Sequence, residues 1–151
     1  MNDEEFHKEF HKAVVENMEG KIGWHITGVM DSPGFTYSTG LTKHDLPELI
    51  VSGLPMEVAA HFINEIGNEM MDGKKLELGK KYIEYAKGDL PMVFIEVSKE
   101  AMEEKMTTTG YHFKDGFKAL QLVWCDTNGK MPWEEDFEEK FIDKQEVLGE
   151  I

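Results

Sequence analysis

ELIVSGLPMEVAAHFINEIGNEMM, residues 48–71, places a strand pattern directly before a helix pattern. Residues 48–54 form a short apolar run of the kind that makes a buried strand. Pro55 suits the first turn of a helix, because the N–H that proline lacks would have no partner there. Apolar side chains then recur at helical spacing: Val58, Ala59, Phe62, Ile63, Ile66 and Met70. The stretch therefore predicts a strand and an amphipathic helix that packs against it.

Toward the N-terminus, the pattern predicts another helix and a hairpin. Residues 3–19 carry Phe6, Phe10, Val14 and Met18 at helical spacing, and Gly20 ends the pattern. Residues 22–30 and 35–41 are rich in β-branched and aromatic side chains, and DSPG separates them. We expect these two segments to pair as an antiparallel hairpin around a four-residue loop.

Toward the C-terminus, further strand patterns predict the rest of a sheet. They occupy 80–86, 91–98, 118–124 and 130–134, with a short helix at 99–106. The sequence thus predicts an α+β fold, a single domain over 1–151, with a mostly antiparallel sheet and two main helices packed against it. The acidic tail, 135–151, is expected to hold a last helical turn or a loose end.

Composition excludes several classes of function. The 151 residues carry a formal net charge of −14, and all 16 basic residues are lysine. Nucleic-acid binding needs clustered cations, so we expect no nucleic-acid partner. Without arginine, the bidentate clamp for carboxylate or phosphate is missing. Cys125 is the one cysteine and cannot form an intrachain disulfide.

Cellular location follows from what the sequence lacks. The N-terminus, MNDEEFHKEF, is acidic and has no apolar signal region. No apolar run approaches the roughly 20 residues that span a bilayer. We therefore expect a cytoplasmic protein without a membrane partner. No Walker loop, dinucleotide fingerprint or zinc-cysteine array is present, and we expect no cofactor.

A second hairpin is predicted around Asn128-Gly129, a strong signal for a two-residue turn. Counting outward from the turn, Trp124 falls opposite Trp133. Strand alternation then puts one set of side chains on a common face: Leu122, Trp124, Asp126, Met131 and Trp133. Aromatic pairs commonly cover a core, and that is the favoured interpretation. Asp126 leaves two alternatives open, because it either stands beside the indoles in a site or caps the turn.

The first hairpin brings a histidine near hydroxyl groups. With a four-residue loop, His25 lies opposite Gly40 and Thr27 opposite Ser38. One face would then carry Trp24, Ile26, Tyr37, Thr39 and Leu41, and the other His25, Thr27, Thr36 and Ser38. A histidine near a serine suits nucleophilic catalysis. TYSTG is not a nucleophile elbow, however, so a solvated face is favoured.

Other histidines give weaker signals. His7 and His11 have i, i+4 spacing, but Lys8 follows the first histidine where the zincin motif has glutamate. An exposed pair is favoured, and we expect no metal site. His44 stands in a loop near Asp45 and Glu48, where it is either a general base or ligand, or a capping or surface residue.

Four motifs in fixed order resemble a known family. They are GW at 23–24, FTYSTGL at 35–41, PELIVSGLP at 47–55 and ALQLVWCDTNGKMPWE at 119–134. Together they resemble a family of small bacterial and phage proteins catalogued as a domain of unknown function, over about 23–134. Leu46 stands where many members carry histidine, and Cys125 where many carry proline. The resemblance marks these motif positions: Trp24, Tyr37, Gly40, Leu41, Glu48, Trp124, Asp126 and Trp133.

A binding module is the first functional expectation. Trp24, Tyr37, Thr39, Trp124 and Trp133 would line a cleft, with Asp126 and Glu48 fixing a polar ligand. The ligand would be a planar or sugar-like molecule, including nucleotide-derived ones, which the protein binds or sequesters.

Two alternatives stay open, so the sequence does not decide whether the protein is an enzyme. One is a hydrolase that uses His25 or His44 with Asp126 or Glu48. The other is a protein-interaction or homo-oligomeric domain that pairs through the strand edge at Pro132.

Overall fold

A five-stranded mixed sheet organises residues 2–150, the part of the chain that the computed structural model describes. Its strands are β1 (His25–Val29), β2 (Phe35–Thr39), β3 (Glu48–Ser52), β4 (Met92–Glu96) and β5 (Ala119–Trp124). The helices of this part are α1 (Asp3–Glu19), α2 (Met56–Met71), α3 (Lys99–Lys105) and α4 (Thr107–His112). Short 3-10 turns lie at Leu41–His44, Lys87–Asp89 and Glu139–Phe141. The predicted α+β class is confirmed.

The strand order, β1-β2-β3-β5-β4, makes the sheet mixed. β3 runs parallel to β5, whereas the other neighbouring strands of residues 2–150 are antiparallel. A parallel pair needs a long crossover, and here residues 53–118 supply it with α2, β4, α3 and α4. The prediction of a mostly antiparallel sheet with two main helices therefore matches only in part.

The first hairpin is shifted by one residue from the predicted register. His25 pairs with Thr39 and Thr27 with Tyr37. β1 ends at Val29, so the loop has the five residues 30–34, and Met30 is fully exposed. A one-residue slip moves side chains to the other face. Tyr37 and Thr39 therefore share the face of His25 and Thr27 instead of the face of Ile26.

The predicted hairpin between Trp124 and Trp133 is wrong. β4 occupies the place beside β5, with Met92 opposite Trp124. Residues 130–134 form turns, and the Asp126 N–H donates to the Lys130 carbonyl at 2.9 Å to close a tight loop. Trp124 packs with the cluster under α2, whereas Trp133 packs against Val93, Ile95, Val123 and Met131 on the opposite face of the sheet.

The predicted strand at 80–86 does not form either. Tyr82 makes an isolated bridge with Met92, and the remainder of this segment follows turns. Tyr82 and Tyr85 pack edge-on against Phe94 in the core beneath α2. The segment is thus a loop that folds over the sheet and buries its tyrosines. Burial of every third residue or so gave it the aromatic content of a strand.

Two apolar layers cover the sheet. α2 covers one face through side chains that include Ala59, Phe62, Ile63 and Ile66. On the other face, Tyr37 and Ile50 pack with Met106 and with Leu148 from the C-terminal tail. The tail is therefore part of the core rather than a loose end. No helix of residues 2–150 has the length and apolarity that crossing a bilayer requires.

Candidate functional site

Trp24 and His25 meet in one cleft between α1, β1 and α2. The cleft has a volume of about 480 Å³. Trp24 is buried, and its indole Nε1 donates to Asn64 Oδ1 at 2.9 Å. A Cβ added at Gly67 would lie 2.8 Å from the indole ring, so α2 packs directly on Trp24. The ring is thus held by the fold and has one polar atom already paired.

The other predicted aromatic residues have structural partners elsewhere. Trp124 Nε1 donates to the Ser52 carbonyl at 2.7 Å, which ties β5 to the end of β3. The Tyr37 hydroxyl accepts from the Thr108 N–H at 3.1 Å. Thr39 and Thr109 hydroxyls lie 2.8 Å apart. In residues 2–150, these side chains do not join Trp24 and Trp133 in a single cleft.

Glu48 is a buried carboxylate that organises the turn after β2. It accepts hydrogen bonds from the backbone N–H groups of Gly40, Leu41 and Thr42 and from the hydroxyls of Ser38 and Thr42. Burial raises the pKa of the Glu48 carboxyl above its ordinary value, and hydrogen bonds from Thr42 and Ser38 oppose that rise. Its oxygens are occupied by the turn.

Asp126 caps the turn at Asn128-Gly129. Its Oδ1 accepts from the N–H groups of Asn128 and Lys130 at 2.9 and 2.8 Å, and Oδ2 accepts from that of Glu138 at 2.9 Å. Desolvation acts to raise the pKa of Asp126, but these backbone donors outweigh it and the pKa lies below its ordinary value. The geometry therefore supports the turn-capping alternative.

The histidines predicted as catalytic do not meet a carboxylate. His25 Nδ1 lies 2.8 Å from Asn17 Nδ2, and burial lowers the pKa of His25. His44 is exposed at the end of the 3-10 turn. Within residues 2–150, the histidine–carboxylate ion pair is that of His61 with Glu65, at 3.6 Å on an exposed helix face. A His/carboxylate pair of the predicted kind is thus not assembled there.

A larger cavity lies where no site was predicted. It has a volume of about 760 Å³ and opens between the end of β4, α3, α4 and the loop before β5. Its floor is apolar and consists of Val97, Met102, Met106, Phe113, Phe117 and Ala119. Cavities of roughly 300–1,000 Å³ with apolar linings are the usual form of small-molecule sites.

Charged side chains form the rim of this cavity. Lys99, Lys114 and Lys118 stand there with Glu96, Glu103 and Asp115. In the described part of the chain, none of these six side chains forms a salt bridge. The rim is electrically balanced in a chain whose net charge is −14. An anionic group therefore meets less repulsion there than the net charge of the whole chain suggests.

The sequence does carry one signal for this cavity. HFKDGFK, residues 112–118, places a lysine directly after each of two phenylalanines, on either side of a turn. Gly116 has a φ of 110°, which a side chain would strain. The turn brings Phe113 and Phe117 to the same floor. No arrangement of three His, Cys, Asp or Glu side chains suitable for a metal ion occurs in residues 2–150.

Comparison with known proteins gives one match. The profile of a family described as "Domain of unknown function (DUF4262)" matches residues 20–138. The resemblance inferred from the motifs is thereby confirmed. No curated protein matches the chain, and no solved structure does. The matched residues include the whole 760 Å³ cavity but leave out α1.

Proposed function

The chain belongs to the family described as a domain of unknown function, DUF4262, and we propose that it is a small-molecule-binding module whose ligand occupies the cavity between α3 and α4. The observation that carries this proposal is the cavity itself, about 760 Å³ with an apolar floor and a charged rim. A volume of that order suits a ligand of drug or metabolite size. Binding or sequestering such a molecule is the function that follows.

The lining indicates the chemical class of the ligand. Met102 and Met106 are flexible thioethers that adapt to different apolar shapes. Phe113 and Phe117 offer ring faces to an aromatic or aliphatic body. Lysine ammonium groups at the rim suit a single anionic group, because lysine acts as a point charge. We therefore propose an amphipathic anion, and nucleotide-derived molecules with a buried base fall within this class.

The cavity between α3 and α4 does not contain the residues that the sequence singled out as a binding site. Trp24, Tyr37, Thr39 and Trp124 have hydrogen-bond partners inside the fold, and the carboxylates of Glu48 and Asp126 are occupied by turns. No contact in residues 2–150 favours the hydrolase or the homo-oligomeric alternative over binding.

Gly110 provides the sharpest test of the cavity. It lies in α4 and lines the cavity, and a Cβ added there meets no atom within 4 Å. Gly110→Leu should therefore fill the cavity without disturbing the fold, and leucine also favours a helix over glycine. We expect the variant to bind the fluorescent anion 1-anilinonaphthalene-8-sulfonate at least about tenfold more weakly than the native chain, equivalent to about 1.4 kcal/mol.

Glu100→Leu is the matched control, because Glu100 is exposed on α3 and does not line the cavity. It should bind the probe as the native chain does. Equal probe affinity in Gly110→Leu and the native chain would place the bound probe elsewhere and refute the proposal.

A second prediction concerns the charge of the rim. The double variant Lys99→Gln/Lys118→Gln should weaken binding of the anionic probe about tenfold. Binding of the uncharged N-phenyl-1-naphthylamine should change less than twofold, because the apolar floor is intact. Lys87→Gln, outside the cavity, serves as control. If both probes lose affinity equally, the lysines do not select an anion, and the ligand class is wrong.

A further inference from the structure

Imidazole side chains take part in the side-chain hydrogen bonds between α1 and the other elements of residues 2–150. His11 Nδ1 lies 2.9 Å from His112 Nε2 on α4, and the His11 ring stacks on Tyr111 with 3.8 Å between centroids. Asn17 Nδ2 donates to His25 Nδ1 on β1. In residues 2–150, these are the side-chain hydrogen bonds that join α1 to other elements. Helix docking thus depends on ring nitrogens.

Proton chemistry restricts both contacts. A hydrogen bond between two imidazoles needs one N–H donor and one free lone pair, so at least one of His11 and His112 must be neutral. Asn17 Nδ2 can only donate, so His25 Nδ1 must also be free of a proton. Full protonation of His11 and His112 removes the acceptor from their hydrogen bond and places two like charges against one another. Protonation of His25 ends the hydrogen bond from Asn17 Nδ2, and the amide must turn before Oδ1 can accept from the ring.

Charged groups of both signs surround the contact, but in the described part of the chain no carboxylate is paired with its imidazoles. The groups around the contact include His7, Lys8 and Lys12 on α1, Tyr111 on α4 and Lys114 after it, whose Nζ lies 5.3 Å from the Tyr111 ring centroid. Carboxylates stand there too: Glu4 precedes His7 by three residues on α1, and Asp115 follows His112 by three. No carboxylate of residues 2–150 forms a hydrogen bond or ion pair with His7, His11, His25 or His112. A proton taken up here therefore has no carboxylate partner at hydrogen-bonding distance among the residues that the structure describes.

The pKa shifts agree with this geometry. Burial, and then the charges of His112 and His7, lower the pKa of His11 below 6.5. Burial lowers the pKa of His25, and burial together with the charge of His25 lowers the pKa of His112. Released histidines would titrate near 6.5. Docking is therefore at full strength above pH 6.5 and weakens as the pH falls below it.

Other contacts of α1 are few. Val14 and Met18 are its buried apolar side chains, and Phe6 is 64% exposed. No salt bridge of residues 2–150 involves the helix. The family match begins at residue 20, directly after α1. The helix thus lies outside the matched family domain and is joined to the other elements through two buried apolar side chains and the histidine contacts.

We propose that α1 is an acid-sensitive strap, which lies on β1 and α4 while its histidine contacts are neutral and detaches when they become protonated. Detachment exposes the surfaces of β1 and α4 that α1 covers, and it takes apart the clefts of about 480 and 470 Å³ that α1 helps to line. This inference does not depend on a ligand in the cavity between α3 and α4.

Hydrogen exchange followed by mass spectrometry on the full chain tests the proposal. Protection of the α1 amides, corrected for intrinsic exchange rates, should fall between pH 7.5 and 5.5 by up to about tenfold for each proton taken up on release, because the released histidines titrate near 6.5. Amides of β3 and β5 should keep their protection. An unchanged α1, or equal losses in α1 and the sheet, would overturn the proposal.

Variants separate the histidines involved from the others. His11→Gln/His112→Gln retains a hydrogen-bonding pair that does not titrate, so the pH response of α1 should shrink. His44→Gln/His61→Gln, outside the contact, should respond as the native chain does. The proposal fails if the second pair of substitutions removes the response.

Val14→Ala tests the same docking equilibrium without a change to any histidine, in case the histidine variants fail to dock α1. It weakens the apolar contact of α1 and leaves every histidine in place, so detachment should shift to higher pH. Detachment at the same pH as in the native chain, or at a lower pH, would count against the strap.

Discussion

At the scale of single residues, two buried carboxylates shape the molecule through the turns they hold. The Glu48 carboxylate accepts hydrogen bonds from the backbone N–H groups of Gly40, Leu41 and Thr42. The Asp126 carboxylate accepts them from those of Asn128, Lys130 and Glu138. A sequence shows the carboxylate but not the direction in which N–H groups of a turn will point. For this reason Asp126 beside two tryptophans suggested a binding wall as readily as a cap.

Replacing Asp126 tests the cap through its pH dependence. The pKa of Asp126 lies below its ordinary value of 3.8 in the folded protein. Its stabilising contribution is thus present above pH 3.8 and is lost as the pH falls through the lower, folded pKa. Asp126→Asn should lower the melting temperature at pH 7, and the difference from the native chain should narrow below pH 3.8.

Thermal unfolding from pH 2.5 to 7 measures this difference. Asp143→Asn, at an exposed position, should match the native chain throughout. A deficit of Asp126→Asn that stays constant over the whole range would mean that the ionised carboxylate is not what holds the turn.

At the scale of elements, the C-terminal segment packs on the sheet face opposite α2, for which the sequence predicted no cover. Gln145 exchanges hydrogen bonds with the backbone of Trp124, and the Ser98 N–H donates to the Leu148 carbonyl at 2.9 Å. Gln121 holds the same segment through the Glu146 carbonyl and the Leu148 N–H. The sequence left a last helical turn or a loose end open for the tail, and the tail does hold a 3-10 turn at Glu139–Phe141. Its docking on the sheet was not predicted, because polar contacts to backbone leave no periodic pattern.

Leu148→Ala measures the contribution of this segment. Leu148 is buried among Phe35, Ile50 and Val97, so its truncation should lower the free energy of unfolding by about 2–5 kcal/mol. Ile142→Ala, at a position that is 58% exposed, should change it by less than about 0.5 kcal/mol. Urea denaturation of both variants gives the comparison. Equal stability of the two would mean that the tail is not part of the core.

Strand pairing also belongs to this scale. The alternating patterns located β1, β2, β3, β4 and β5, but they did not identify the neighbour of each strand. The apolar run at 80–86 was a loop over Phe94, and β4 took the place beside β5 that Asn128-Gly129 suggested for residues 130–134. Local turn signals were outweighed by packing between segments far apart in the chain.

For the whole molecule, the sequence predicted the elements with regular apolar spacing well. It predicted poorly the sites that are built from residues far apart in the chain. The α1 boundaries, 3–19, and the start of α2 follow directly from apolar spacing and the proline at its N-terminus. The cavity depends on α4, TTTGYH, whose threonines and glycine have low helix propensity and gave no helix signal. Its walls therefore could not be placed together from the sequence.

The position of α4 has a consequence for thermodynamics. One side of this six-residue helix presents Tyr111 and His112 to α1, and another presents Thr107 and Gly110 to the cavity. If α4 shifts when α1 leaves, proton uptake and ligand binding become linked equilibria. Linkage is reciprocal. If protonation lowers the affinity for the ligand by some factor, bound ligand must lower the proton affinity of the histidines by the same factor. A titration of affinity against pH and a titration of histidine protonation against ligand would then yield one coupling constant.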